Sequence, residues 1–309
     1  LYLFIGKDDT ERRILLNSIG PLWDGNEVWL VTFGGALFAA FPITYASAFS
    51  SFYIPFMLLL LALIFRAAAI EFRSKNQSSA WRTFFDAAFA LASTLAALLM
   101  GVAVGNILWG IPIGGRGIFQ GTLFDLLHPY ALLVGVLTIA LFLMHGAIFL
   151  YLKTEGALQK RIQGWMWRAF GFFLILYVLV TIFTLVARPE VTRHFQEYPI
   201  GWVAVVANVL AIANIPRAIY MGRPFYAFLS SVATIAALLF LFGMALFPNM
   251  IVSSINPDYS LNIYNAASSQ NTLFLMAIIA AIGMPLVLAY TTVVYWTFIG
   301  KVKLGEFSY

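Results

Sequence analysis

The sequence predicts an all-α, polytopic transmembrane helical bundle. Of its 309 residues, 62% are hydrophobic and 10% are charged, whereas an ordinary globular domain carries about 25% charged residues. The mean hydropathy is +0.89. Apolar segments long enough for a helix to cross about 30 Å of hydrocarbon recur along the whole chain. We therefore expect a single integral-membrane domain over residues 1–309 and no soluble domain.

Eight apolar segments have the length of a membrane span. The chain opens at Leu1, and the stretch from Leu1 to Ile5 resembles the last turn of another apolar segment. We therefore expect a ninth, N-terminal span that is missing from this sequence. The eight segments lie near residues 28–48, 51–70, 84–109, 129–151, 166–187, 200–215, 225–247 and 272–298.

The basic residues are distributed unevenly between the two sets of connections. If the chain starts inside, fifteen of the 18 Lys and Arg residues fall on the inner side. The outer side receives Arg116, Arg188 and Arg193. Cytoplasmic loops carry an excess of Lys and Arg, so we expect both ends of the chain to be cytoplasmic.

Several kinds of chemistry are missing from the sequence. It has no cysteine and three histidines, His128, His145 and His194, and it lacks phosphate-binding loops, dinucleotide fingerprints and His-Glu-x-x-His helices. His145, beside Met144 inside a span, could ligate one haem or be a hydrogen-bonded packing residue, and we favour packing. We expect no metal site, no catalysis by this chain alone and no nucleic-acid partner.

Two carboxylates stand at the start of the first predicted span, Asp24 and Glu27. An acidic side chain at hydrocarbon depth costs roughly 2.5–3.5 kcal/mol, so it persists where it faces protein, water or a proton path. Three residues apart, the two groups are expected to share a helix face, as a proton relay requires. The alternative is helix capping, in which Asp24 or Asn26 accepts backbone hydrogen bonds in the first turn.

The other charges near the spans have simpler interpretations. Arg66, Glu71 and Arg73 close the second predicted span, where we expect them to reach the membrane surface and pair with each other. Asp86 follows Arg82 by four residues, which is the spacing of an ordinary ion pair on a helix.

Small residues and prolines mark special positions in the spans. Gly34 and Gly35, with Ala36, Ala39 and Ala40, make one side of the first span thin enough for close approach by a helix of this or another chain. Pro42, Pro55 and Pro285 are expected to bend or interrupt their helices.

Motifs along the chain together identify a family. They resemble subunit II of cytochrome bd-type ubiquinol oxidase, particularly its cyanide-insensitive branch. The resemblance covers nearly the whole chain, and the block from Thr10 to Pro42 is the most specific part. The motifs are Thr10-Glu11-Arg12-Arg13, Asn17-Ser18-Ile19-Gly20-Pro21, Trp23-Asp24-Gly25-Asn26-Glu27-Val28-Trp29, Gly34-Gly35-Ala36-Leu37-Phe38-Ala39-Ala40-Phe41-Pro42, Glu71-Phe72-Arg73-Ser74-Lys75, Gly105-Asn106-Ile107-Leu108-Trp109-Gly110, Lys153-Thr154-Glu155-Gly156, Phe247-Pro248 and Asn265-Ala266-Ala267-Ser268-Ser269-Gln270-Asn271.

The resemblance implies a fold and a complex. The fold would have nine helices, in two four-helix bundles plus one, packed against a similar subunit I. That partner would carry two b-type haems, one d-type haem and the quinol-oxidising loop, with quinol and O2 as substrates of the complex. Small single-span subunits and a bound quinone or lipid are further expectations. The location would be a bacterial plasma membrane.

The resemblance also implies roles for residues of the Trp-Asp-Gly-Asn motif. Asp24 would belong to a proton path along the subunit interface, where Trp23 would pack and to which we assign Asn26 and Glu27. Other members have glutamine at the position of Glu27, which argues against an obligatory proton carrier there. Trp29 would lie near an oxygen route. The alternative function is a multi-span secondary transporter, although no matched pair of discontinuous helices is evident.

Overall fold

The computed structural model describes residues 1–192 and 199–305. These residues form an antiparallel helical bundle with one small two-stranded sheet. The helices are α1 Tyr2–Ile5, α2 Asp9–Asn17, α3 Trp23–Ala40, α4 Pro42–Ser51, α5 Tyr53–Phe72, α6 Ser79–Trp109, α7 Pro129–Lys153, α8 Gly156–Ala187, α9 Ile200–Tyr220, α10 Pro224–Leu246 and α11 Gln270–Thr297. The strands β1 Asn249–Ile251 and β2 Leu261–Asn262 pair in antiparallel fashion.

Seven of the described helices, α5 to α11, are long and apolar enough to cross a membrane. They match seven of the eight segments that the sequence predicts. The remaining segment, 28–48, is not one helix as we expected, because α3 ends at Ala40 and α4 begins at Pro42. Proline removes a backbone donor and clashes with the preceding turn, which explains the break. Pro285, in contrast, lies inside α11 without ending it.

The main core lies among α7, α8, α9 and α10. Its fully buried members include Met144 and Ile148 of α7, Ile162 and Phe173 of α8, and Ile215 of α9, each with 1% or less of its surface exposed. Since lipid chains are as apolar as these side chains, tight packing rather than exclusion from water stabilises such a core.

Helices α6 and α7 approach closely through glycines. A methyl group added to Gly101 would lie 2.7 Å from the Cα atom of Gly135, and one added to Gly105 would lie 2.7 Å from the Cα of Ala131. Only residues without bulky side chains allow two backbones to come this near. The described α6 ends at Trp109 and is followed by Gly110, whose positive φ of 95° stops the helix.

One end of the bundle carries most of the basic residues, and we call it the basic end. There the buried carboxylate of Asp86, 2% exposed, accepts hydrogen bonds from Arg73 Nε at 2.5 Å, from Arg12 at 2.6 Å and from the Tyr2 hydroxyl. Arg73 also pairs with Asp9 at 2.9 Å. These contacts hold α1 and α2 against the ends of α5 and α6.

The basic end corrects two predictions of ion pairing. Asp86 pairs with Arg73 and Arg12, whereas Arg82 pairs with Asp9 at 3.1 Å. Arg66, Glu71 and Arg73 do not pair with each other, since Arg73 points to the acids of other helices. The guanidinium of Arg161, 2.7 Å from Glu11, lowers the pKa of that carboxyl group and fixes α2 to α8.

At the opposite end, residues 110–128 and 248–269 fold together into what we call the loop cap. Ile111, Ile113 and Ile251 are buried inside it. Asn106 of α6, 1% exposed, donates to the carbonyl of Leu126 at 2.8 Å and so attaches the cap to the bundle.

The loop cap also completes the broken end of α3. The carbonyl of Ala40 accepts from the backbone N–H of Ser268 at 2.8 Å, and the carbonyl of Ala39 accepts from its hydroxyl at 2.5 Å. Terminal helix carbonyls have no partner in their own helix. Ser268 therefore supplies a cap from a distant part of the chain.

We predict that Ser268→Ala lowers the midpoint of thermal unfolding of the purified complex. The change removes the hydroxyl donor from the part-buried carbonyl of Ala39, and a hydrogen bond of this kind contributes about 0.5–1.5 kcal/mol. Ser254→Ala is the control, because Ser254 is exposed and bonds through its backbone. Equal midpoints for the two variants would contradict the capping role.

We predict a larger loss for Asp86→Ala. It leaves Arg73, 2% exposed, without its buried counter-charge, and breaking one side of a buried ion pair costs about 3–5 kcal/mol. The same unfolding measurement on Asp258→Ala, an exposed carboxylate of the loop cap, provides the reference. If the unfolding midpoint of Asp86→Ala were as high as that of Asp258→Ala, the contacts of Asp86 would not hold α1 and α2 against α5 and α6.

Candidate functional site at the start of helix α3

The first turns of α3 place four residues of the predicted motif region on one face. Trp23, Asn26, Glu27 and Leu30 line a cavity of about 710 Å³ between α3 and the bundle. Their spacing of three, four and seven residues is that of one helix face. The rest of the cavity wall is mostly apolar, with side chains from α1, α5, α6 and α7.

The carboxylate of Glu27 forms an ion pair with the guanidinium of Arg66 on α5. Both side chains are mostly buried, with 23% and 20% of their surface exposed. We expected Arg66 to pair with the neighbouring charges Glu71 and Arg73, and this pairing is wrong. A signal was present, because an arginine inside an apolar run needs a counter-charge from another span.

The other two cavity residues of the motif contact different parts of the protein. Asn26 Oδ1 accepts a hydrogen bond from the hydroxyl of Tyr295 on α11 at 3.4 Å. Trp23 is partly buried against the main core. No sequence pattern pointed to Tyr295, because its contact depends on how α11 lies beside α3.

Asp24 has different surroundings from Glu27, although we expected the two to share a face. It does not line the cavity and is exposed. Within the described ranges, 1–192 and 199–305, its carboxylate has no hydrogen bond or ion pair. The capping alternative is wrong as well, because the N-cap of α3 is Leu22 and no side chain bonds there.

The exposed surface around Asp24 extends along two helices. Neither α3 nor α11 has a buried residue, and Trp29 is 41% exposed. A methyl group added to Gly34 or Gly35 would meet nothing within 4 Å. The thin side of α3 is therefore not used for packing by the part of this chain that the structure describes.

The described histidines are engaged in structural contacts. His145 Nδ1 lies 2.8 Å from the hydroxyl of Ser231, and its ring stacks on Phe228, as a packing residue does. His128 Nδ1 accepts from the backbone of Ala131 at the start of α7, and burial lowers its pKa. His194 lies outside the described residues.

The cavity lining includes His145, the histidine that could ligate a haem, but its Nδ1 lies against the hydroxyl of Ser231. A haem carries two propionates, and Arg66 is the one Arg or Lys in the described lining, where Glu27 already neutralises it. Among residues 1–192 and 199–305, no three His, Cys, Asp or Glu side chains cluster in a way that could hold a metal ion.

Comparison with known proteins identifies the family. The model of the family described as cytochrome bd terminal oxidase subunit II matches residues 1–298. The chain belongs to this family. Its sequence is 35% identical to cytochrome bd-I ubiquinol oxidase subunit 2 of Escherichia coli K12 over 330 aligned positions, which cover 97% of the chain and 87% of that protein.

Two further relatives agree with the assignment. Cytochrome bd ubiquinol oxidase subunit 2 of Bacillus subtilis is 33% identical over 98% of the chain and 89% of that protein. The structure of bd oxidase from Geobacillus thermodenitrificans superposes with a TM-score of 0.74 at 18% identity, covering 96% of this chain and 87% of that one. At 18% identity, this structural similarity shows that the two chains share a fold and no more.

Membership confirms the resemblance that the sequence motifs indicated. This cytochrome bd subunit II is part of an oxidoreductase complex of the respiratory chain, and the transporter alternative is not favoured. A subunit II implies a partner subunit I, and the family implies haems in the complex. Its several apolar helices are those of a multi-pass membrane protein, consistent with a bacterial inner membrane.

Proposed function

We propose that this chain is the non-haem subunit of a quinol oxidase that couples quinol oxidation to the reduction of O2 to water. It would provide a scaffold for subunit I and a proton path at the interface between the subunits. The observation that carries the proposal is the exposed carboxylate of Asp24 on α3, a helix with no buried residue; among residues 1–192 and 199–305 this carboxylate has no partner.

The surface formed by α3 and α11 is the proposed interface. Both helices are apolar and pack against each other while leaving their remaining faces open. Apolar faces alone could contact lipid. The carboxylate of Asp24 could not do so cheaply, because an acid facing hydrocarbon costs roughly 2.5–3.5 kcal/mol. A protein partner that brings polar groups or water to Asp24 removes this cost.

Asp24 is the proposed proton donor of the path. It lies in the first turn of α3, near the basic end, which we assign to the cytoplasm because Lys and Arg collect there. On this assignment the C-terminus is cytoplasmic. Trp23, Asn26 and Glu27 would shape the path and its interface, and Trp29, on the open side of α3, would border a route for oxygen.

The haems would reside in subunit I, two of b type and one of d type, and would supply the redox chemistry there. The contacts of His145 with Ser231 and Phe228, which are those of a packing residue, support that division. The cavity has room for the apolar tail of a quinone or lipid. Small single-span subunits stay a prediction, and we propose that residues 1–309 act as one membrane domain.

We predict that Asp24→Asn lowers quinol-dependent oxygen consumption at least about tenfold, because an amide cannot release a proton to the path. Haem absorbance per protein should stay normal, since asparagine has nearly the size and shape of aspartate and its amide oxygen still accepts hydrogen bonds. Asp258→Asn, at an exposed site of the loop cap, serves as the control. Normal turnover in assembled Asp24→Asn would leave scaffolding as the sole role.

We also predict that this chain purifies with a larger, haem-bearing polypeptide. The isolated complex should show haem absorbance and oxidise quinol under air. A colourless protein that purifies alone from a membrane containing the other subunit would contradict the proposed partnership.

A further inference from the structure

Helix α3 is held in this chain by few contacts. It buries no residue, so packing alone does not set its rotation. Its polar ties to non-adjacent helices are the Glu27–Arg66 ion pair and the hydrogen bond between Asn26 and Tyr295. Tyr295 belongs to α11, which has no buried residue either. The ion pair is therefore what ties the first turns of α3 to a firmly packed helix, while Ser268 of the loop cap holds its far end.

Arg66 occupies the buried face of α5. One turn away on either side stand Ala62, Ala69 and Ile70, which are 3%, 1% and 1% exposed. Ala62 packs in a cluster with Ala92 and Ala96 of α6. The backbone that carries Arg66 therefore belongs to the packed face of α5. The ion pair with Glu27 joins α3 to that face.

We propose that Arg66 is a positioning residue that sets the rotation of α3 through Glu27 and thereby directs Asp24 toward the partner subunit. This inference rests on the proposed role of Asp24 in proton supply. Asp24 precedes Glu27 by three residues, which places it about 60° around the helix and about 4.5 Å along it. With Glu27 held against the cavity wall, Asp24 faces outward.

The proposal assigns Glu27 a role different from that of a proton carrier. A carrier must bind and release a proton, which glutamine cannot do. A positioning partner needs an oxygen that accepts from the guanidinium, and the amide oxygen of glutamine provides one. If Glu27 were a proton carrier, Glu27→Gln would lose turnover and Arg66→Leu would keep it. If Glu27 is a positioning partner, Glu27→Gln keeps turnover and Arg66→Leu loses it.

The test measures turnover of the assembled oxidase, normalised to haem absorbance, for three variants. Glu27→Gln keeps turnover within about threefold of the unchanged protein, because the hydrogen bond to Arg66 persists. Arg66→Leu lowers turnover at least about tenfold although Glu27 is retained. Arg66→Gln, whose amide still donates to Glu27, recovers most of that loss.

The pH dependence of turnover gives a readout that a purely structural role would not move. Removing the cation beside Glu27, one turn from Asp24, makes the electrostatic potential around the proposed proton path more negative. In a plot of turnover against pH, the fall in turnover at high pH should therefore occur at a higher pH in Arg66→Leu. The control is Arg161→Leu, which breaks the Glu11–Arg161 pair at the basic end and should leave the profile unchanged.

The outcomes separate this proposal from the proposed function. Inactive Glu27→Gln together with active Arg66→Leu would make Glu27 the carrier and overturn the inference. Normal turnover in both variants would overturn it as well. If Arg66→Leu fails to assemble, Arg66→Gln and Glu27→Gln still decide, and the inference then fails if either loses turnover tenfold. Normal turnover in Asp24→Asn would instead refute proton supply.

Discussion

A charge inside a membrane bundle needs a counter-charge within the protein, and this constraint organises the structure around Asp86 and Glu27. Each acid finds its arginine on another helix, Arg73 for the first and Arg66 for the second. The Glu27–Arg66 pair connects α3, which buries no residue, to the packed helix α5. Because lipid does not drive helices together as water does, such polar ties fix relative positions that a uniformly apolar surface would leave undefined.

The same constraint makes Asp24 informative. Glu27 and Asp86 are satisfied within the chain, whereas the carboxylate of Asp24 is exposed without a partner in the described residues. Further along α3, a methyl group added to Gly34 or Gly35 would meet no atom of the described residues within 4 Å. An acid without a described partner and an open close-approach surface on one helix are the features that we expect of the proposed subunit interface, and family membership implies a subunit I to form it.

The sequence predicted the features that depend on composition and local pattern. It located seven spans, the interruption at Pro42 and the family. It did not predict which arginine pairs with which acid, because spacing along one helix suggested the pair Arg82–Asp86 while the fold brought Arg73 to Asp86. Residues 28–48 do not form the single helix that we expected, because Pro42 interrupts it. The cap that Ser268 provides for α3 could not be inferred from neighbouring residues, because Ser268 is distant from α3 in the sequence.

The break after Ala40 and the ion pair at Glu27 act on opposite ends of α3. Ser268 binds the last carbonyls of the helix, and Arg66 holds its second turn. A helix that is held at both ends but buries no residue keeps its rotation while leaving its open side free for another subunit. A proton path at a subunit interface needs an acid that is held in a defined direction and a surface that the partner can cover. A helix held in this way meets both requirements.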